Sequence, residues 1–145
     1  PYLVPDESLL RAIRGAAGQG VKVRLILPEN VDSLLTRYAS RSYYDDMLDV
    51  GVEIYLYRDG LLHTKSITVD GQSSMFGTVN LDMRSFWLNF EATLFIYNIL
   101  FTQDIRKIQA DYEHQSTLID LEQLAKRPLI KRFKENVALL IGPLL

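Results

Sequence analysis

The chain predicts an α/β fold in which a layered mixed β-sheet is flanked by helices. Three observations point there. Helical and strand-like apolar patterns alternate along the chain, and Gly or Pro marks the changes of pattern. Asp59-Gly60 is a turn, and a second Asp-Gly, Asp70-Gly71, joins two strand-like runs, which is a strong short-range hairpin signal. The chain has 145 residues and is 48% hydrophobic, enough for one core without cross-links.

The elements follow in order. Asp6 caps a first helix through Ser8–Ile13 that ends near Gly18 or Gly20. Val21–Leu27 alternates apolar and basic residues before turning fully apolar, as a strand does, and Pro28 stops it. Asp32 or Ser33 starts a second helix that carries Leu34, Leu35, Tyr38, Tyr43, Tyr44, Met47 and Leu48 at helical spacing, with a break near 40–42. Gly51 ends it, and Val52–Tyr57 is the next strand. Thr64–Val69 and Ser74–Thr78 form the two arms of the hairpin, and Glu91–Tyr97 is a fifth strand. Helix resumes from Thr102 to about Ser116, a short helix begins at Thr117 or Asp120 and halts at Pro128, and a last one covers Leu129–Leu140.

Composition narrows the function. With no cysteine, a disulfide framework, a thiolate metal site and a cysteine nucleophile are excluded. Two histidines, His63 and His114, are too few for a histidine-rich metal site. The net charge of -2 does not suit a polyanionic nucleic-acid partner. No apolar run approaches the roughly 18 residues of a membrane span. Charge is uneven: residues 1–125 hold 11 Lys/Arg against 17 Asp/Glu, whereas 126–145 hold five basic residues against Glu135. The chain opens on Pro1-Tyr2 without a Met, so a fragment of something longer is expected.

One stretch carries chemistry: His63-Thr64-Lys65, then Asp70, then Gly77-Thr78-Val79-Asn80. His63 and Lys65 stand two apart at a strand mouth, so their side chains share a face. The hairpin returns Gly77, Thr78 and Asn80 to the same end of the sheet. Gly77 is expected to leave backbone room for a ligand. An imidazole, an ammonium, an amide and a hydroxyl converging on one point suit a tetrahedral oxyanion. Lys65 supplies charge, Asn80 supplies directed donors, and His63 attacks phosphorus or moves protons. The pattern needs no metal and no cofactor.

His63-x-Lys65-x₄-Asp70 followed by Gly77-Thr78-x-Asn80 resembles the HKD motif of the phospholipase D superfamily. Further runs, among them Ser40–Tyr44, Asn80–Phe86, Leu88–Glu91 and Lys126–Leu129, are similar to the C-terminal half of bacterial cardiolipin synthases. The resemblance spans nearly the whole chain. Thr78 stands where that family usually has Ser, and the hydroxyl is kept.

The resemblance implies a phospholipase D-like domain over 1–145 in which His63, Lys65 and Asp70 are the catalytic triplet. It implies that Lys65, Thr78 and Asn80 hold the substrate phosphate, and that Glu91 orients His63 through a hydrogen bond. It implies a phosphatidyltransferase acting on two phosphatidylglycerols through a phosphohistidine, with cardiolipin and glycerol as products. It also implies a bacterial membrane location for the full-length protein, whose N-terminal membrane helices are absent here. The chemistry pairs two such motifs and this chain carries one. The partner is then an N-terminal HKD half of the same protein or a second copy as a homodimer, and the chain alone is expected to be inactive or weakly active. His63 is nucleophile or general acid; one half does not say which. Two rival readings stand beside this one: a homodimeric single-HKD phosphodiesterase such as a nuclease, and a non-catalytic membrane-associating half.

Several residues have plainer readings. Asp-Gly is what a tight hairpin requires for its own backbone, so Asp70 reads first as structural support. Asp82 and Arg84 read as a structural ion pair, Tyr43, Tyr44, Phe86 and Trp87 as core and interface aromatics, and His114 as a solvated helix residue. Residues 126–145 form a basic amphipathic segment, with Leu129, Phe133, Val137 and Leu140 on one helical face. Such a segment lies on an anionic membrane or packs on protein.

Overall fold

The computed structural model describes residues 3–31 and 33–125. The expected helix at Leu129–Leu140, and the basic segment containing it, lie outside the described residues. The chain order is β1 (Leu3–Val4), α1 (Glu7–Gly18), β2 (Arg24–Pro28), α2 (Leu34–Ser42), α3 (Tyr44–Leu48), β3 (Glu53–Tyr57), β4 (Ser66–Val69), β5 (Ser73–Gly77), β6 (Leu81–Asp82), α4 (Met83–Trp87), β7 (Thr93–Ile96), α5 (Ile99–His114), β8 (Ser116–Ile119) and α6 (Leu121–Ala125). The fold is mixed α/β as expected, and its strands divide among three small sheets.

The first sheet is built by a βαβ unit. Strand β2 pairs in parallel with β3, Arg24 opposite Glu53 and Pro28 opposite Tyr57, and α2 with α3 makes the crossover. The Ser33 hydroxyl caps α2 by accepting from Thr36 N at 3.3 Å. The helix breaks at Tyr43, one residue beyond the expected range. Gly51, at φ 91°, makes the turn into β3 that a Cβ would resist. The other edge of β3 takes β8 in antiparallel register, Ile54 opposite Ile119. Leu27, Met47, Val52, Ile54 and Leu56 form the core on this sheet with Leu3, Tyr44 and Leu124. Leu10, Ile13 and Ala17 of α1 pack against it, and Asp6 caps that helix by accepting from Leu9 N at 2.8 Å.

Strand β8 corrects the expectation of helix from Thr117. Ser116–Ile119 is short and carries β-branched Thr117 and Ile119, and the open edge of β3 takes it as a strand. Helix then starts after Asp120. Helix α5 begins at Ile99, earlier than expected, because Asn98 caps it by accepting from Phe101 N at 2.9 Å.

The second sheet is the hairpin β4–β5 with β7 added to β5, all antiparallel. Asp70 (φ 52°) and Gly71 (φ 67°) are both left-handed, and Gln72 N donates back to Val69 O at 3.0 Å. The third sheet is one parallel pair, β1 with β6, which seats the segment after Asn80 against the buried N-terminal strand.

Candidate active site

The hairpin register decides which residues meet. Ser66 faces Phe76 and Val69 faces Ser73. The ladder runs one step beyond β4, since Gly77 N donates to Lys65 O at 3.2 Å. Lys65 is therefore level with Gly77, and His63 and Lys65 stand at the end of the hairpin where Thr78 and Asn80 leave β5. Asp70 is at the other end. Five residues of extended chain separate it from Lys65, about 16 Å at the usual strand rise. The structure thus brings together His63, Lys65, Thr78, Asn80 and Glu91 and leaves Asp70 out. Asp70 sits in the turn, where its positive φ fits the backbone role also expected of it.

Within the cluster, the Lys65 ammonium lies 3.1 Å from both His63 ring nitrogens and donates to His63 O at 3.2 Å. Equal distances to the two nitrogens put the cation over the ring rather than in line with one lone pair. Burial lowers the Lys65 pKa below the usual lysine value, while the Glu91 and Asp82 carboxylates pull in the opposite direction.

The Glu91 carboxylate is held by the Thr78 hydroxyl, which donates to Oε2, and by Asn89 Nδ2, which donates to Oε1 at 3.2 Å. The bond from Thr78 is the largest cause of a Glu91 pKa below the usual carboxylate value; partial burial opposes it, and Asn89, Ser85 and the Lys65 charge assist. Ala92 N donates to the Thr78 hydroxyl at 3.0 Å, and Thr78 N donates to Ala92 O at 2.9 Å. Thr78 therefore ties β5 to the start of β7. The expected bond from Glu91 to His63 is not among the hydrogen bonds of the described residues. Glu91 instead supplies charge near Lys65.

Gly77 has a different reason from the expected one. A Cβ there would stand 2.2 Å from Ala92 O and 2.8 Å from Thr93 Cα. The space belongs to the β7 backbone, not to a ligand. Asn80 donates its backbone N–H to Ser85 Oγ at 3.3 Å, and its Oδ1 is buried with no protein partner. One end of that carboxamide is thus uncommitted in a structure where buried polar atoms are normally paired.

Two supporting residues were missed. Asp82 Oδ1 accepts from Ser85 N at 2.6 Å and caps α4, and both residues are buried. Ser85 then braces Asn80 and Glu91 at once. The spacing Asp82-x-x-Ser85 is that of an N-cap and was legible as such. Asp82 makes no ion pair with Arg84, which is exposed. Tyr44 is buried as expected and Tyr43 packs on the core, whereas Phe86 and Trp87, expected as core and interface aromatics, are 46% and 69% exposed and so lie outside the core. His114 ends α5 and is exposed.

The exposed aromatics are part of a larger surface. Trp87, Leu88, Phe90, Leu94 and Phe95 are all exposed, and Phe90 fully so. They flank Glu91 and run onto β7, an edge strand of its sheet. Among the described residues no helix is long and apolar enough to cross a membrane, and no group of three His, Cys, Asp or Glu residues is placed to hold a metal ion.

Known proteins with these features group together. The chain is 50% identical over all 145 residues to cardiolipin synthase A of Erwinia tasmaniensis and to that of Yersinia pseudotuberculosis, and 48% identical to that of Proteus mirabilis. It spans 30% of the length of each of these relatives. Among solved structures it is similar to phosphatidylserine synthase from Haemophilus influenzae, with TM-score 0.73 and 19% identity over 100% of this chain and 40% of that one. It is also similar to Nuc, a phospholipase D family member from Salmonella typhimurium, with TM-score 0.71 and 19% identity over 81% of this chain and 77% of that one. These two likenesses show a phospholipase D-type fold. Residues 1–113 match the family described as cardiolipin synthase, PLD-like domain, and the chain belongs to that family.

Proposed function

We propose that this chain is the catalytic half-site of a phosphatidyltransferase that joins two phosphatidylglycerols into cardiolipin. The observation that carries the reading is the Lys65 ammonium 3.1 Å from the His63 ring, at the end of the hairpin where the chain leaves β5 toward Asn80. Identity of 48–50% to three cardiolipin synthases along the full chain supports the substrate class.

The first step displaces glycerol from one phosphatidylglycerol. A ring nitrogen of one catalytic histidine forms a P–N bond, the bond from phosphorus to the glycerol oxygen breaks, and a second histidine protonates the leaving oxygen. A hydroxyl of the second phosphatidylglycerol then attacks phosphorus. Its proton passes to the second histidine and the P–N bond breaks. His63 fills one of the two roles. The Lys65 ammonium and the Nδ2 end of the Asn80 amide donate to the phosphate oxygens as charge develops on them. Thr78 and Glu91 keep that end of the hairpin in place, and Glu91 offsets part of the Lys65 charge.

The other histidine comes from outside this chain. The chain spans 30% of the relatives' length, which leaves ample sequence for a second motif. The exposed apolar surface around Trp87, Phe90 and β7 adjoins Glu91 and suits burial under that other half. Full-length enzyme would work at the bacterial membrane that holds its substrate.

Product analysis tests this reading. Full-length protein containing this chain, given phosphatidylglycerol vesicles, should release one glycerol per cardiolipin. Phosphatidic acid as main product would mean that water is the acceptor. Cleavage of DNA without lipid turnover would overturn the reading in favour of a nuclease.

A further inference from the structure

Helix α5 meets the catalytic hairpin through polar contacts. Gln109 Nε2 donates to Ser66 Oγ at 3.1 Å, and Thr68 Oγ1 donates to Gln109 Oε1 at 2.8 Å. One carboxamide therefore spans two residues of β4. One turn further along α5, the Tyr112 hydroxyl lies 3.5 Å from Thr64 Oγ1, and its ring packs edge-on against Tyr57 at 5.4 Å. One heptad earlier, buried Thr102 donates to Ser74, which faces Thr68 across the ladder.

Alternation makes these contacts matter for the site. Thr64, Ser66 and Thr68 share one face of the segment, turned to α5. Ile67 and Val69, of opposite parity, are exposed, and His63 and Lys65 have their parity. The helix thus backs the segment whose front carries the catalytic pair. Strand β4 is an edge strand, bonded only to β5, and the ladder stops at Lys65. An apolar interface would let the strand slide along the helix, whereas directional hydrogen bonds fix its height.

We propose that Gln109 is a positioning residue for His63 and Lys65, acting through Ser66 and Thr68 with Tyr112 as its support. The proposal rests on the catalytic reading above for its effect on turnover, but its structural part stands independently.

The test uses Gln109→Leu, which keeps the bulk and removes both hydrogen bonds, and Gln109→Glu, whose carboxylate accepts from both hydroxyls. The chain has two histidines, so the His63 and His114 imidazole Cε1–H resonances separate readily by NMR. In Gln109→Leu the His63 resonance should split or broaden while His114 stays sharp and the melting curve remains cooperative. In full-length protein the same change should lower kcat about 10-fold with KM unchanged, as a small misplacement of a reacting group does. Gln109→Glu should restore both readouts. If Gln109→Leu does not fold, Tyr112→Phe carries the test with a smaller change of the same sign. A His63 resonance unaltered in folded Gln109→Leu, or in Tyr112→Phe where that variant stands in, overturns the proposal. A split resonance with full turnover in His63→Ala would uphold the positioning and sink the catalytic reading instead.

Discussion

The two ends of the β4–β5 hairpin belong to one sequence motif but do different physical work. At one end the Lys65 ammonium meets the His63 ring, Thr78 holds Glu91, and Ser85 holds the backbone of Asn80, whose amide oxygen is unpaired. At the other, Asp70 and Gly71 make a left-handed turn in solvent. Residues that read as one unit along the chain are about 16 Å apart because a strand rises about 3.3 Å per residue. A motif can thus combine chemistry with the fold that delivers it, and substitutions at the two ends should separate the two.

Lys65→Met should produce the largest split between the ends. Removal of a charged donor to a developing oxyanion costs about 10²–10³ in kcat. The melting curve should change little, because the ammonium is partly buried at some cost. The wild-type pH profile sharpens the point. Burial lowers the Lys65 pKa, so activity should fall on the alkaline side at lower pH than for a free lysine, and Lys65→Met should lose that limb.

Gly77→Ala comes next and acts on stability. The new Cβ meets Ala92 O at 2.2 Å, so β7 must shift, at a cost of about 3 kcal/mol for overpacking against backbone. Urea denaturation measures it. An unchanged midpoint would mean that the space at Gly77 is open to a ligand after all.

The Thr78–Glu91 pair gives a smaller effect that depends on pH. The folded-state pKa of Glu91 is lowered, chiefly by the Thr78 bond. Its contribution to stability is therefore present above the unfolded-state pKa and is lost as pH falls through the lower folded-state value. Denaturation midpoints measured from neutral into acid pH should show that loss, and Glu91→Gln should flatten it.

The hairpin, and with it the meeting of His63 and Lys65, was legible because the local Asp70-Gly71 turn sets its register, and β2, β3 and β7 were legible as apolar runs bounded by turn residues. Strands β1, β6 and β8 were not: β1 and β6 have two residues each, β8 follows helix α5 without a turn signal, and all three pair with partners far away in sequence. Ser85 was overlooked although its contacts are local, with Asp82, Asn80 and Glu91, because a single serine carries no pattern of its own. Phe86 and Trp87 were read as core and interface aromatics, and the structure leaves both on the surface.

Asp70→Asn should have the smallest effect. Asn tolerates the left-handed backbone that Asp70 adopts, so stability should move by less than about 0.5 kcal/mol. Asp70→Val should cost about 1–2 kcal/mol at the same φ. Activity per folded molecule should follow wild type in both. A loss of kcat in folded Asp70→Asn as deep as in Lys65→Met would erase the distinction between the two ends.

The most direct measurement combines light-scattering mass with phosphatidylglycerol turnover on the same fractions. The samples are this chain alone, the chain with the remainder of its protein, and the His63→Ala form of each. The account predicts no turnover by monomeric chain, turnover where a second histidine motif is supplied, and a fall of at least about 10²-fold in His63→Ala. Robust turnover by a strict monomer, or by His63→Ala in any assembly, would contradict it.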